Sequence, residues 1–330
     1  MSLIHRLKAK LHHVFYWDLP IGECLNSWFD LRLYYRYRFV EKKFKNQTNQ
    51  QAYLTKQYHI VEKGLALPNP RKAFGIPKIT ALIQIASDYE TKYSDPELSG
   101  AIRSTLATYL RKNPELNETH PAFYALVTGY VQGAPVSVQG GVKHFNRSEL
   151  RQITSMDFAS FAKSRTSVRN FSSEPIAAEL IQKAVDIARY TPSVCNRQSW
   201  KVHAYTKRET INSLLALQGG SNGFTESITQ LLVVTTDIRK FTRMETHQIY
   251  VDGGLFAMNL LYALHAQNIG SCCLNTCVTY PIEKQIITLG QIPEHERLIM
   301  FIGIGNLRED YDVAISNRFG ISHVYSHHSH

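Results

Sequence analysis

Val251-Asp252-Gly253-Gly254-Leu255-Phe256-Ala257-Met258-Asn259-Leu260-Leu261, followed by Asn268-Ile269-Gly270-Ser271-Cys272-Cys273-Leu274-Asn275, is the stretch on which the fold turns. Its apolar spacing predicts a long helix over 246–267 and then a short strand around 271–274. Two glycines inside a helical pattern cost roughly 1 kcal/mol each relative to alanine. Their usual justification is close approach of the backbone to another helix or to a flat ligand.

Working outward, Leu231-Leu232-Val233-Val234-Thr235 is a short β-branched run ending in Asp237, and Lys201 to Thr206 reads as a strand after Trp200. Leu298 to Ile304 is a final apolar strand. A helix is expected over 177–190, with Pro175 just before it and Leu180, Ile181, Ala184, Val185 and Ala188 along one side. Helices and strands mix without a regular βαβ repeat, which favours a layered α+β or mixed-sheet domain. No GxGxxG fingerprint follows a strand, so a nicotinamide-type Rossmann domain is not expected.

The first half has a different texture. Residues 1–60 read as helical, with Pro20-Ile21-Gly22 as a break, and Gly64 to Arg71 reads as loop because of its two prolines. Helices are expected at 77–93 and 97–112, the second ended by Asn113-Pro114. Gly133, Pro135, Gly140 and Gly141 mark a connection over 133–150. The expected division is a mainly helical N-terminal extension, 1–150, and a second domain, 151–330, in line with what 330 residues suggest.

Composition bounds the rest. Hydrophobic content of 44% and charged content of 19% describe a folded globular chain. The net charge is +10, and residues 1–60 hold ten Lys/Arg against four Asp/Glu. Arg32, Arg36, Arg38, Lys42, Lys43 and Lys45 interleave there with Tyr34, Tyr35, Tyr37 and Phe39. Such a stretch suits a membrane surface, nucleic acid or another polyanion, with nucleic acid the least favoured of the three. The plainer reading is a solvated helix whose aromatic side packs on the rest of the protein, and it carries more weight. The five cysteines are odd in number and lack metal-site spacing, which reads as reduced thiols in a cytoplasmic protein. No apolar run approaches the roughly 20 residues that span a bilayer. The His-rich end, His323 to His330, reads as a frayed tail before it reads as a metal binder.

Three segments carry chemistry. Ser164-Arg165-Thr166-Ser167-Val168-Arg169-Asn170-Phe171 supplies two guanidinium forks and short hydroxyls, the equipment for a phosphate and a polyol chain. A polar loop before a helix has the same composition. Tyr190-Thr191-Pro192-Ser193-Val194-Cys195-Asn196-Arg197-Gln198-Ser199-Trp200 offers amide side chains that suit the edge of a planar heterocycle, or simply a helix-to-strand loop with an anchoring Trp. The third segment is the glycine-containing helix and strand quoted first.

In this order and spacing the three segments resemble the nitroreductase family of flavoproteins, over residues 155 to 320. The family pattern runs from an SRRSVRxF-like segment, through a PSxxNxQPW-like loop, to a Gly-containing helix closing on a GLGxCWL-like strand. The resemblance implies a nitroreductase-like, FMN-binding mixed sheet flanked by helices, an intertwined homodimer, and one FMN at each subunit interface. Arg165, Thr166, Ser167 and Arg169 would hold the phosphate and ribityl from one subunit. Pro192, Ser193, Val194 and Asn196 would reach the flavin from the other. Cys273, Leu274, Asn275 and Thr276 would line the reactive side of the ring, Arg318 would grip the phosphate, and Asn222 would touch the ring. The implied activity is ping-pong transfer of hydride from NADH or NADPH, through FMN, to a small conjugated acceptor such as a nitro compound or quinone. No acid/base residue and no metal is expected, and Cys195 and Cys273 read as core thiols.

Three departures bear on this. Thr166 replaces a second arginine, Ser199 replaces the proline before Trp200, and Asn275-Thr276 stand where some relatives carry an acidic residue and a glycine. His59-Ile60-Val61-Glu62-Lys63-Gly64-Leu65, with Pro70-Arg71-Lys72-Ala73-Phe74-Gly75, is similar to the N-terminal motif of long nitroreductase-like proteins found with surface-polysaccharide synthesis genes, which implies a polysaccharide-pathway intermediate as acceptor. The competing reading is a catalytically weak flavin-binding scaffold whose basic N-terminal half holds an anionic partner or a membrane surface.

Overall fold

The structure, a computed structural model, describes residues 20–41, 43–66, 70–132, 140–142, 157–311, 313 and 320–329. Among the described residues six helices come first: α1 (Pro20–Tyr37), α2 (Gln47–Leu65), α3 (Ile76–Lys92), α4 (Pro96–Lys112), the short α5 (Leu116–Thr119) and α6 (Pro121–Gln132). After them come α7 (Phe158–Ser164), α8 (Ala178–Ala188), β1 (Trp200–Tyr205), α9 (Arg208–Gln218), β2 (Gln230–Asp237), α10 (Gln248–His265), β3 (Ile269–Leu274), α11 (Tyr280–Leu289) and β4 (Glu296–Asn306).

The sheet order is β1-β2-β4-β3, and every hydrogen-bonded pair is antiparallel. β2 and β3 do run in the same direction, with α10 as the crossover between them. β4 lies between them, so no parallel pair of the expected mixed sheet is hydrogen-bonded among the described residues. All eight residues of β2 are buried, because both faces of the sheet are covered. One face meets α8 and α10 through Ala184, Ala188, Phe256, Ala257, Leu260 and Leu264. The other meets α9 and α11 through Ile211, Leu214, Leu215 and Ile286. The α+β class with an additional helical N-terminal region is as the sequence implies.

The two glycines of α10 separate in role. A Cβ on Gly253 would lie 2.6 Å from Cγ1 of Ile299, so the bare backbone is what lets α10 settle on β4. A Cβ on Gly254 would meet nothing within 4 Å. Its face of α10 carries Val251, Leu255 and Met258, all exposed.

Helices α2, α3, α4 and α6 bury a core of their own around Leu54, Ile79, Leu82, Ile102, Leu106 and Val127. The connection expected over 133–150, like the boundary at 150, falls almost wholly outside the described residues. α1 belongs to the other half: Leu33 and Tyr34 are buried against Ile238, Phe241 and Ile249. Phe39 is fully buried, and its N–H donates to the Phe241 carbonyl at 3.1 Å. The aromatic side of the basic stretch therefore packs on the protein, while Arg32 and Lys43 face outward. Residues 1–19 of the stretch lie outside the described residues, and 20–22 are already part of α1. Within the described residues a break comes at 38–46, where the Asn46 side chain accepts from the Asn49 N–H and starts α2. No helix among the described residues is long and apolar enough to cross a membrane.

Candidate functional site

The segment 165–169 follows α7 and runs beside the free edge of β3. Its anchor is a backbone bond from the Val168 N–H to the Ser271 carbonyl at 2.9 Å, with the Val168 side chain in the core. Phe171 then bridges to Leu307. These contacts leave Arg165, Thr166 and Ser167 half-buried and Arg169 exposed. The Arg169 guanidinium lies 5.8 Å from the Phe224 ring centroid. Neither Arg165 nor Arg169 has a carboxylate partner among the described residues, so two cations are left for an external anion.

The turn at 218–224 joins the same edge. The Gln218 amide donates to the Asn275 carbonyl at 3.0 Å, and Asn222 is exposed beside it in sequence. Cys273 and Thr276 are half-buried, Asn275 is exposed, and Leu274 turns its side chain into the core. Leu274 lies opposite Phe301 in the β3–β4 ladder. Burial pushes the Cys272 and Cys273 thiols up, with the Arg165 charge pulling the other way, so both stay protonated at neutral pH. Burial, helped by Arg165, pushes His265 down, and its Nε2 lies 2.7 Å from the Ser164 hydroxyl oxygen.

The loop 192–198 is elsewhere. It precedes β1, at the opposite edge of the sheet from β3, three inter-strand spacings or roughly 14 Å away. Cys195, Asn196 and Gln198 have φ of 51°, 54° and 46°, in the left-handed region that non-glycine residues avoid. The surroundings hold them there. The Gln198 N–H donates to the Ser193 hydroxyl at 3.0 Å, and Lys240 donates to the Gln198 carbonyl at 3.0 Å. Arg197 is buried and fully engaged: with the Val194 carbonyl, the Lys240 carbonyl and, at 2.7 Å, the Glu245 carboxylate. Pro192 is exposed and Ser193 and Val194 are half-buried, whereas the Asn196 side chain, next to Tyr58 of α2, accepts from the Gln198 amide at 3.4 Å. Within one chain, then, the structure brings Arg165–Arg169, the 218–224 turn and Cys273–Thr276 together, and sets Pro192–Asn196 apart. Arg318 lies outside the described residues.

Two charged groups escaped the sequence reading. Asp252, 1% exposed on α10, accepts from the Val194 N–H at 3.2 Å and from the Gln248 amide at 2.7 Å. Burial pushes its carboxyl up. A carboxylate inside an apolar helical pattern was the available signal. Asp252→Ala is expected to cost about 1–3 kcal/mol, the penalty for leaving two half-buried donors unpaired. Denaturant melts measure the loss. Hydrogen exchange at the Val194 amide, faster in the variant, distinguishes a loosened loop from a general weakening.

The second is Arg297, at the start of β4. It donates to Glu283 of α11 and, at 2.9 Å, pairs with Asp30 of α1. The Tyr250 hydroxyl donates to Asp30 at 3.1 Å. Beside this cluster the Asn26 side chain accepts from the Tyr280 N–H at 2.9 Å and so caps α11 from another helix. These groups border a cavity of about 250 Å³ that also reaches Thr276 and Cys277, so α1 walls the space next to the third segment.

Comparison with known proteins adds the following. Residues 162–221 match the model of the nitroreductase family. A 4-nitrobenzoate reductase of Pseudomonas putida is 38% identical over 63 residues, which are 18% of this chain and 28% of the relative. The chain thus spans little more than a quarter of the length of that curated relative. Among solved structures, a nitroreductase family protein of Streptococcus pneumoniae shares 21% identity over 52% of this chain and all of its own, with a TM-score of 0.44. A nitroreductase of Bacteroides fragilis with bound FMN shares 16% over 53% of this chain and all of its own, with a TM-score of 0.43.

Proposed function

We propose, from the nitroreductase-family segment at residues 162–221 as the premise, that this chain is an FMN-dependent oxidoreductase that uses NADH or NADPH to reduce a small conjugated acceptor. The observation that carries the reading is the pair Arg165 and Arg169, without carboxylate partners among the described residues and next to hydroxyls and the open end of β3. A phosphate with a ribityl chain fits that donor set: two forks for the dianion, Thr166 and Ser167 for the polyol. Bound FMN would supply the hydride chemistry, and the protein would bind it, orient it and exclude water. Cys273, Leu274, Asn275 and Thr276 would border the ring. Asn222 would reach its edge from the neighbouring turn, and Arg318 would add a third cation.

The loop residues Pro192, Ser193, Val194 and Asn196 enter the same reading from a second copy of the chain. They are too far across the sheet to complete a site built on β3 of their own protomer. The exposed stripe on α10 supports a homodimer. Val251, Leu255 and Met258 recur at helical spacing, 50%, 47% and 36% exposed, and a contiguous apolar stripe of this kind marks an association surface. Asn196, whose side chain already accepts from Gln198, is the weakest member of the set. The division into a 1–150 extension and a 151–330 domain belongs to the same proposal; the separate core of α2 to α6 supports it, whereas α1 packs on the second half. A cytoplasmic location and a polysaccharide-pathway acceptor belong to the proposal and rest on the sequence alone, as does any contact of the outward cations of 1–60 with a membrane surface or polyanion.

The test is direct. Purified protein incubated with FMN and desalted is expected to stay yellow and to oxidise NADH or NADPH when a nitroaromatic or quinone is added. Arg165→Ala and Arg169→Ala are each expected to weaken FMN binding about tenfold to a hundredfold, the scale of one lost charge-assisted contact. A well-folded protein that never retains FMN ends the proposal. Yellow protein without turnover on any acceptor favours the scaffold reading.

A further inference from the structure

The N-terminal motif at 59–65 and 70–75 is not absorbed by the flavin site, yet its two halves face one another. Between α2 and the start of α3 they line a cleft, open on one side, of about 490 Å³, within the range of small-molecule sites. Ile60, Gly64, Phe74 and Ile79 give it an apolar wall, and Arg71 and Lys78 stand among its lining residues. Both cations are exposed, and neither has an anionic partner among the described residues.

The cavity is built rather than left over. The Phe74 ring is pressed on Gly64, where a Cβ would lie 2.4 Å from it, and it meets Tyr109 edge-on at 5.3 Å. The Tyr109 hydroxyl donates to the Phe74 carbonyl at 2.7 Å, and the Ala73 N–H donates to the Asn113 side chain at 2.9 Å. These bonds tie the 70–75 turn to α4 and its end, so the wall cannot simply collapse inward.

An apolar chamber with two uncommitted cations is complementary to one kind of molecule: an apolar chain with an anionic head. We infer that this cavity binds a single-chain phosphate ester as a monomer, the chain against Ile60, Phe74 and Ile79 and the phosphate against Arg71 and Lys78. The site is distinct from the flavin site and does not depend on it.

Decyl phosphate, below its micelle concentration, is the probe. Full-length protein saturated with FMN, so that the Arg165–Arg169 region is already offered its own phosphate, is titrated by calorimetry. One saturable site per chain is expected, with decanol and inorganic phosphate each binding far more weakly. The charge reversal Arg71→Glu with Lys78→Glu, at exposed positions that leave the fold intact, is expected to lower affinity about tenfold or more, as for two solvent-exposed ionic contacts reversed. Ile60→Trp, which fills the chamber, abolishes binding while the FMN colour is kept.

No binding of decyl phosphate, or equal binding by the charge-reversed protein, overturns the inference. So does binding only to vesicles containing phosphatidylglycerol, which would make the basic surface a membrane contact instead. Colour in the same samples reports the flavin separately: colourless protein that binds decyl phosphate leaves this site standing alone.

Discussion

Arg297→Ala lowers stability by about 3–5 kcal/mol, the cost of stranding a buried carboxylate by deleting its partner. Arg297 is 7% exposed and Glu283 6% exposed, so the pair is largely shielded from bulk water. Burial works against the Arg297 charge, but Glu283, Tyr250 and Asp30 more than offset it and hold it protonated. Burial pushes the Glu283 carboxyl up, and Arg297 pulls it part of the way back. Removing Arg297 leaves the upward push unopposed. A carboxylate whose folded pKa is raised takes up protons on folding, so its contribution to stability falls as pH rises through that value. The variant must therefore lose more, relative to the parent, at pH 8 than at pH 5. Urea melts at the two pH values measure this. Equal losses at both, or a loss under about 1 kcal/mol at pH 8, would remove Arg297 as the bolt between α1 and the sheet. The same cluster bears on any truncation. Deleting residues 1–60 takes away Asp30, Leu33, Tyr34 and Phe39 together, so it opens the sheet end rather than subtracting a peripheral arm.

Elements whose burial is continuous were legible in the sequence. β2 and β4 are long apolar runs because both faces of the sheet are covered, and α10 declares its period over 18 residues. α9 and α11 were not read. α9 buries Ile211, Leu214, Leu215 and Gln218 at helical spacing, but its 11 residues are short and Lys207 gives no side-chain cap. α11 opens on Tyr280-Pro281, and its cap comes from Asn26, over 250 residues earlier, where no local rule reaches. The interleaved cations and tyrosines of 1–60 hid the break at 38–46. Residue types pointed to the candidate site, but its assembly was not written locally. That 165–169 lies against 271 depends on one backbone bond across about 100 residues, and that 192–196 lies at the far edge depends on strand order. Asp252 lay inside the quoted stretch and went unread, because only the structure shows that the Val194 N–H needs it.

The far edge is what makes the second large effect. If the 192–196 loop completes a site on another protomer, the α10 stripe is both the association surface and a condition for binding FMN. Leu255→Glu with Met258→Glu places charge at two exposed apolar positions, and a twofold interface presents each change to its own copy. Each side chain forfeits about 1 kcal/mol of further burial, since only the exposed part can be newly covered, and the carboxylates meet like charge. Within the free protomer each new carboxylate can turn toward the exposed face of α10, so the fold is expected to survive. The expected result is a folded monomer by analytical ultracentrifugation that loses FMN on desalting, although Arg165 and Arg169 are untouched. A variant monomer that keeps FMN at parental affinity would show that one chain suffices, and a parent protein that is already monomeric at micromolar concentration would remove the association surface itself.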